Sequence, residues 1–222
     1  MKKLLAILCA VALVATCCAV SFTAFADESA TATESPLLYN FTDKAITEKL
    51  IETGKINVNN NTKISYDETM GALKVEPKTI GETAANQFVA YASNSTTNVT
   101  DYPVLAIKVR LNDRSKYYGS MVAGMYNNGA ATRFATGDLI GKTGFGYDAS
   151  GSWQIIIYDG TKTDISAYSG QWNGVLFNFM GNTSPATETD FGWIEWVGTF
   201  KTVDAVYDYD QKIPSPFFYD YT

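Results

Sequence analysis

In "LAIKVRL", residues 105–111, Leu105, Ile107, Val109 and Leu111 point one way while Lys108 and Arg110 point the other. A period of two is the signature of a strand with one buried face and one wet face. The same alternation runs through most of the chain. "TKISYD" and "GALKVEP" read as the arms of a hairpin around "DETMG", with Leu73 and Val75 inward and Lys74 and Glu76 outward. "NQFVAYA", "YPVLAIKVRL", "YGSMVAGMY", "SWQIIIYD", "GVLFNFMG" and "GWIEWVGTF" follow, punctuated by turn-forming "NDRS", "NNGA", "YDASG", "DGTKTD" and "GNTSPATETD". Only "FTDKAITEKLIETGK" predicts a helix: Thr42 or Asp43 can cap it, Ile46 and Leu50 share a face, and Gly54 stands where a C-terminal cap belongs. Eight or more strands, one short helix near the N-terminus and no β-α-β alternation predict an all-β fold. The expected form is a two-sheet β-sandwich of jelly-roll type.

The first residues have a different character. Lys2 and Lys3 precede the apolar run "LLAILCAVALVATCCAV", and Ala24-Phe25-Ala26 supplies the small-x-small pattern of a signal-peptidase site. Residues 1–26 are therefore expected to be a secretory signal peptide rather than a membrane span, for which the run is too short. Residues 27–36 ("DESATATESP") read as a flexible leader, 37–209 as one β-sandwich domain and 210–222 as an aromatic C-terminal tail. The expected location is extracellular, either free or at the cell surface.

Removing the signal takes Cys9, Cys17 and Cys18 with it, so the mature chain has no disulfide or thiolate chemistry. Losing Lys2 and Lys3 lowers the basic residues from 17 to 15 against 23 acidic ones, and the net charge goes from −6 to about −8. That balance excludes nucleic acid and anionic membrane surfaces as expected partners and favours a neutral ligand, a cation or no small ligand. There is no histidine. Ser-His-Asp catalysis, His-ligated zinc and a near-neutral imidazole proton shuttle are excluded with it.

The order "ISYDETMGALKV", "DYPVLAIKVRL", "GSWQIIIYDG", Trp172-Asn173-Gly174 and "IEWVGTFKTVDAVYDY" resembles a β-sandwich module of secreted and cell-surface proteins from anaerobic Gram-positive bacteria. The most specific piece is the closing strand running into "FKTVDAVYDY", which resembles endings of the form FFKT-x-x-x-A-x-x-Y. Those modules are similar to jelly-roll carbohydrate-binding modules. The resemblance implies a non-catalytic role in sugar binding or surface display.

Twenty-eight of the thirty aromatic residues, including all four tryptophans, lie beyond the signal. A flat ring covers the C–H face of a pyranose while nearby polar groups satisfy its hydroxyls. Candidate binding residues are those at loop–strand junctions: Trp172, Tyr117, Tyr118, Tyr147 and Trp153, with Arg133, Gln171 and Asn173 as hydrogen-bonding partners. Trp153 shares a face with Ile155 and Ile157, which favours a core role for it and makes Trp172 the better ligand candidate. Trp193 and Trp196, three apart on one strand, are expected on opposite faces.

Glu195, between those tryptophans, is a strand carboxylate that a glycosidase could use, with Glu68, Asp148 or Asp159 as its partner; a solvated outer-face charge or a hydrogen-bonded strand residue is the plainer alternative. No cofactor is required. A structural calcium could draw on "NNGA", "DGTKTD" or "YDYD", though no EF-hand pattern is present. "GDLIGKTG" (137–144) has three residues between its glycines where a P-loop has four, and reads as a turn. Three functions stay open. The first is a secreted non-catalytic module that binds a polysaccharide or other glycan. The second is a surface or matrix module with a cell-surface protein partner and no sugar site. The third is a carboxylate-based glycoside hydrolase.

Overall fold

The alternating segments do become strands, and every pairing among them is antiparallel. The computed structural model describes residues 37–58, 60–81, 86–91, 97–98, 100–112, 122–127, 130–133, 151–162, 171–180 and 185–212. The expected signal, leader and most of the aromatic tail lie outside them. The chain begins with β1 (Leu38–Asn40), α1 (Lys44–Glu52), β2 (Ile56–Val58), β3 (Thr62–Asp67), β4 (Ala72–Pro77), β5 (Asn86–Tyr91) and β6 (Thr97–Asn98). It continues with β7 (Val104–Leu111), β8 (Val122–Asn127), β9 (Ala130–Arg133), β10 (Gln154–Asp159) and β11 (Gln171–Trp172). β12 (Gly174–Met180), β13 (Gly192–Phe200) and α2 (Val203–Lys212) complete it.

Six strands form one sheet in the order β10-β7-β13-β4-β3, with β1 also paired to β13; five form another in the order β2-β5-β12-β8-β9; β6 and β11 make a two-stranded ribbon. The all-β expectation holds. The "DETMG" hairpin and the inward Leu73 and Val75 are as read from the sequence, as are Leu105, Ile107, Val109 and Leu111, all fully buried. These side chains join Ile156, Tyr158, Ile194 and Val197 in the main core, and Ile56 of β2 and Val175 of β12 meet them from the five-stranded sheet. Each such aliphatic side chain contributes about 1.5–3 kcal/mol by leaving water.

β13 is the hub. One edge pairs with β7 along its length; the other pairs with β4 through residues 192–194 and with β1 through 196–198. Between those partners the register with β7 shifts by one residue, so that Lys108 is opposite Trp196, and Arg110 opposite Trp193. Glu195 is the extra residue, and its carbonyl accepts a hydrogen bond from the Phe41 amide at 2.8 Å. A bulge of this kind keeps two successive side chains on one face. It corrects the expectation for the tryptophans: Trp193 and Trp196 both lie on the outer face, the one away from the main core, and Val197 takes the inward place.

The wet face expected for β7 is only half wet. Val104 and Ala106, with Ile157, Trp196 and Phe200, form a second apolar cluster sealed by Val206 of α2. α2 corrects both the expectation of a single helix and that of a strand running into "FKTVDAVYDY". The strand ends at Phe200. Thr202 Oγ1 then accepts from the Ala205 amide at 3.2 Å, and Val203, Val206 and Tyr209 recur at helical rather than strand spacing. Tyr209 meets the Trp196 ring edge-on at 5.3 Å, and Trp196 Nε1 donates to Asp210 at 3.1 Å. The helix continues to Lys212, past the expected domain boundary at 209. In α1, Asp43 is the cap, accepting from the Ile46 amide at 2.9 Å, and Gly54 follows with φ 68°. The buried side is Thr47 with Leu50 and Ile51, whereas Ile46 points outward at 56% exposure, so the expected pairing of Ile46 with Leu50 does not form the packed face.

The second cluster is bordered by charge. Lys108 Nζ lies 2.6 Å from Glu195 Oε2 and 2.8 Å from Asp210 Oδ1, with Glu195 only 2% exposed. The Glu195 contact is close without being aligned as a hydrogen bond, which makes it a charge pair. Burial alone would lower the Lys108 pKa; its contacts with Asp210 and Glu195, and their charges, outweigh that and hold it above its ordinary value. A raised lysine stabilises the fold fully below the unfolded-state pKa of about 10.4, and that stability is lost as the pH climbs through the folded value. Lys108→Met strands Glu195 in apolar surroundings and is expected to cost about 3–5 kcal/mol at pH 7 in urea unfolding. The gap between variant and native protein narrows above about pH 10.4.

Candidate functional site

The part of the outer face that α2 leaves uncovered carries a row of rings and cations running across the strands. Gly151, in the left-handed region at φ 71°, turns the chain so that Trp153 enters β10 on this face. Lys108 Nζ stands 5.9 Å from the Trp153 ring centre, and the ring is half-buried. Its Nε1 is buried with no hydrogen-bond acceptor among the described residues. On the next strand, Arg110 places its guanidinium carbon 5.8 Å from the centre of the Trp193 ring, close enough for a cation–π contact.

Trp193 is held in place from its far side. Its Nε1 donates to Asp67 Oδ2 at 2.9 Å, and Phe191 meets it edge-on at 5.1 Å. Asp67 is itself fixed by the Thr69 and Met70 amides, which both donate to its Oδ1. Lys74 Nζ then lies 4.6 Å above the Phe191 ring and pairs with Glu76 at 2.7 Å, as Lys63 does at 2.9 Å. The register Ser65–Lys74–Trp193–Arg110 sets the row across β3, β4, β13 and β7, and Trp153 extends it to β10. The chemistry available among these described residues is ring stacking, cation–π contact and hydrogen-bond donation.

The residues expected to bind fall in different places. Trp153 stands in this row. Ile155 and Ile157, on its face, pack in the cluster beneath α2 and not in the main core. Gln171 and Trp172 pair with Asn98 and Thr97 in the two-stranded ribbon, and Asn173 leads from there into β12. Arg133 ends the edge strand β9, opposite Gly124. The side chains of Gln171, Trp172 and Arg133, and all of Tyr117, Tyr118 and Tyr147, lie outside the described residues. Arg110, Trp193 and Asp67 are absent from the expected set. Arg110 was legible as an outward residue of "LAIKVRL", and Trp193 shares its period with Glu195.

The carboxylates do not form a glycosidase pair among the described residues. Glu195 is neutralised by Lys108, Glu68 pairs with Lys44 at the surface, and Asp159 Oδ1 accepts from the Thr161 amide at 3.1 Å and from its hydroxyl. Asp148 lies outside the described residues. No cluster of three or more acidic side chains suited to a metal occurs among the described residues, nor is any described helix long and apolar enough to cross a membrane.

No family model matches the chain, and no curated protein does. Among solved structures it is similar to CBM86, a low-affinity xylan-binding module from the xylanolytic gut symbiont Roseburia intestinalis, with 12% identity and a TM-score of 0.42 over 77% of this chain and 98% of that one. It is also similar to TmCBM27, a carbohydrate-binding module with specific mannan recognition, with 9% identity and a TM-score of 0.40 over 76% and 99%. At these TM-scores neither likeness decides the fold or the ligand.

Asp67→Ala removes the acceptor that fixes the Trp193 ring. It is expected to lower stability by about 1–2 kcal/mol and to change the tryptophan emission spectrum. Trp193→Phe, measured alongside, should lack the component that changes.

Proposed function

We propose that this chain is a secreted, non-catalytic carbohydrate-binding module with a two-sheet sandwich of jelly-roll type. In this proposal a glycan lies across the outer face of the six-stranded sheet. The observation that carries it is the row Trp153–Arg110–Trp193: two half-buried indoles, one just before β10 and one on β13, with the guanidinium of β7 between them. Two strand spacings separate the rings by roughly 10 Å. Sugar rings stack on the indole faces, and the cation between them donates to hydroxyls. A row of rings spread across several strands suits an extended polysaccharide better than a single sugar, and no wall enclosing it is formed among the described residues. The neutralisation of Glu195 by Lys108 supports the non-catalytic reading. The N-terminal pattern of lysines, apolar run and Ala-Phe-Ala supports secretion.

The test is affinity electrophoresis of the full chain through gels containing soluble plant and host polysaccharides. Trp153→Ala and Trp193→Ala are each expected to weaken retardation roughly tenfold, while Trp172→Ala leaves it unchanged. Loss in Trp172→Ala alone would move the site to the ribbon of β6 and β11. Absence of retardation by every polysaccharide would overturn the carbohydrate reading.

A further inference from the structure

We propose that the glycan recognised by the row is anionic and that Arg110 receives the carboxylate of a uronic acid unit. This rests on the carbohydrate reading and deepens it. Across the outer face, Lys63 and Lys74 share Glu76, and Lys108 holds Glu195 and Asp210. Arg110, half-buried in the middle of that face, has no carboxylate partner among the described residues, and its Nε is buried without an acceptor. Neighbouring acids are already committed: Asp67 to the Trp193 indole and two backbone amides, Glu195 to Lys108.

The Arg110 Nε has given up water without gaining an acceptor, and no carboxylate among the described residues balances the charge. The planar fork of the guanidinium matches a carboxylate through two parallel hydrogen bonds, in a way an ammonium does not. The flanking indoles give the same site its sugar specificity, because stacking requires a ring next to the charge. The charge balance of the sequence favours neutral or cationic ligands, but net charge acts at long range and is screened beyond about 8 Å at physiological ionic strength. Inside that distance Arg110 and its neighbours decide. Because the whole chain is negative, general attraction does not draw it to a polyanion.

Polygalacturonate, glucuronoxylan and hyaluronan, each beside its carboxyl-reduced form, make the test, with dextran sulfate and neutral mannan as further arms. The full native chain is expected to be retarded by at least one uronate polymer and roughly tenfold or more weakly by its reduced form. Arg110→Lys, checked for native unfolding behaviour, is expected to lose a similar factor against the uronate polymer alone. Equal retardation by a polymer and its reduced form overturns the proposal while leaving the carbohydrate reading intact. Retardation by dextran sulfate alone overturns the uronate assignment in favour of a sulfate ester. Retardation by no polymer, neutral or acidic, defeats the carbohydrate reading itself.

Discussion

Lys108 binds together three parts of the molecule that share no sequence neighbourhood. Its ammonium belongs to β7, one of its carboxylates is the extra residue of the β13 bulge, and the other comes from the last turns of α2. Desolvating three charges is unfavourable, and the close contacts of one lysine with both acids offset it. The bulge depends on this, because an unpaired glutamate could not be held at 2% exposure in that position. Without the bulge, β13 would slip by one residue, driving Trp196 into the main core and Val197 out of it. The outward place of Trp196 and the seat of α2 therefore share one electrostatic origin.

The outer face is divided by that arrangement. Its covered half is dry: Val104, Ala106, Ile157, Trp196 and Phe200 lie against Val206. Its open half keeps rings and charges in fixed positions, each braced by a neighbour, such as Trp193 by Asp67 and Phe191. Little side-chain freedom is left to lose when a ligand arrives, and that favours binding by a shallow surface. The helix meets the site through Lys108, which contacts Asp210 of α2 and faces the Trp153 ring.

Much of the fold was legible because its signal is local. Alternation in "ALKVEP" and "LAIKVRL" reports directly which side chains face the core, and the residues that β4 and β7 give to the main core match it. What was not legible depends on partners far along the chain. The bulge at Glu195 falls where β1 takes over from β4, and no window around residue 195 contains either of those strands. α2 was hidden because "VDAVYDYDQK" is short and acidic, and its helical spacing makes sense only against a sheet that is already there. Ile46 misled for a related reason: the helix buries Thr47, whose hydroxyl is satisfied by the Asp43 carbonyl, in place of the larger apolar residue. Within the site, Trp153 was legible as a ring at a loop–strand junction. Arg110 was visible as an outward charge, but that no carboxylate among the described residues pairs with it is a property of three dimensions.

The pairing of β1 with β13 also governs when the protein can fold. Leu37 and Thr199 exchange hydrogen bonds across 162 positions, and β13 joins the β3–β4 hairpin to the β7–β10 pair. Until residues 192–200 have been synthesised, the six-stranded sheet is two separate halves with a stray segment at 38–40. Contacts so distant in sequence yield nothing until a very long loop has closed. In a nascent chain the six-stranded sheet therefore closes late, after every strand of the five-stranded sheet has been made. Such timing suits the export proposed for it, since a polypeptide whose larger sheet is still open has not locked its final fold before it is threaded across a membrane.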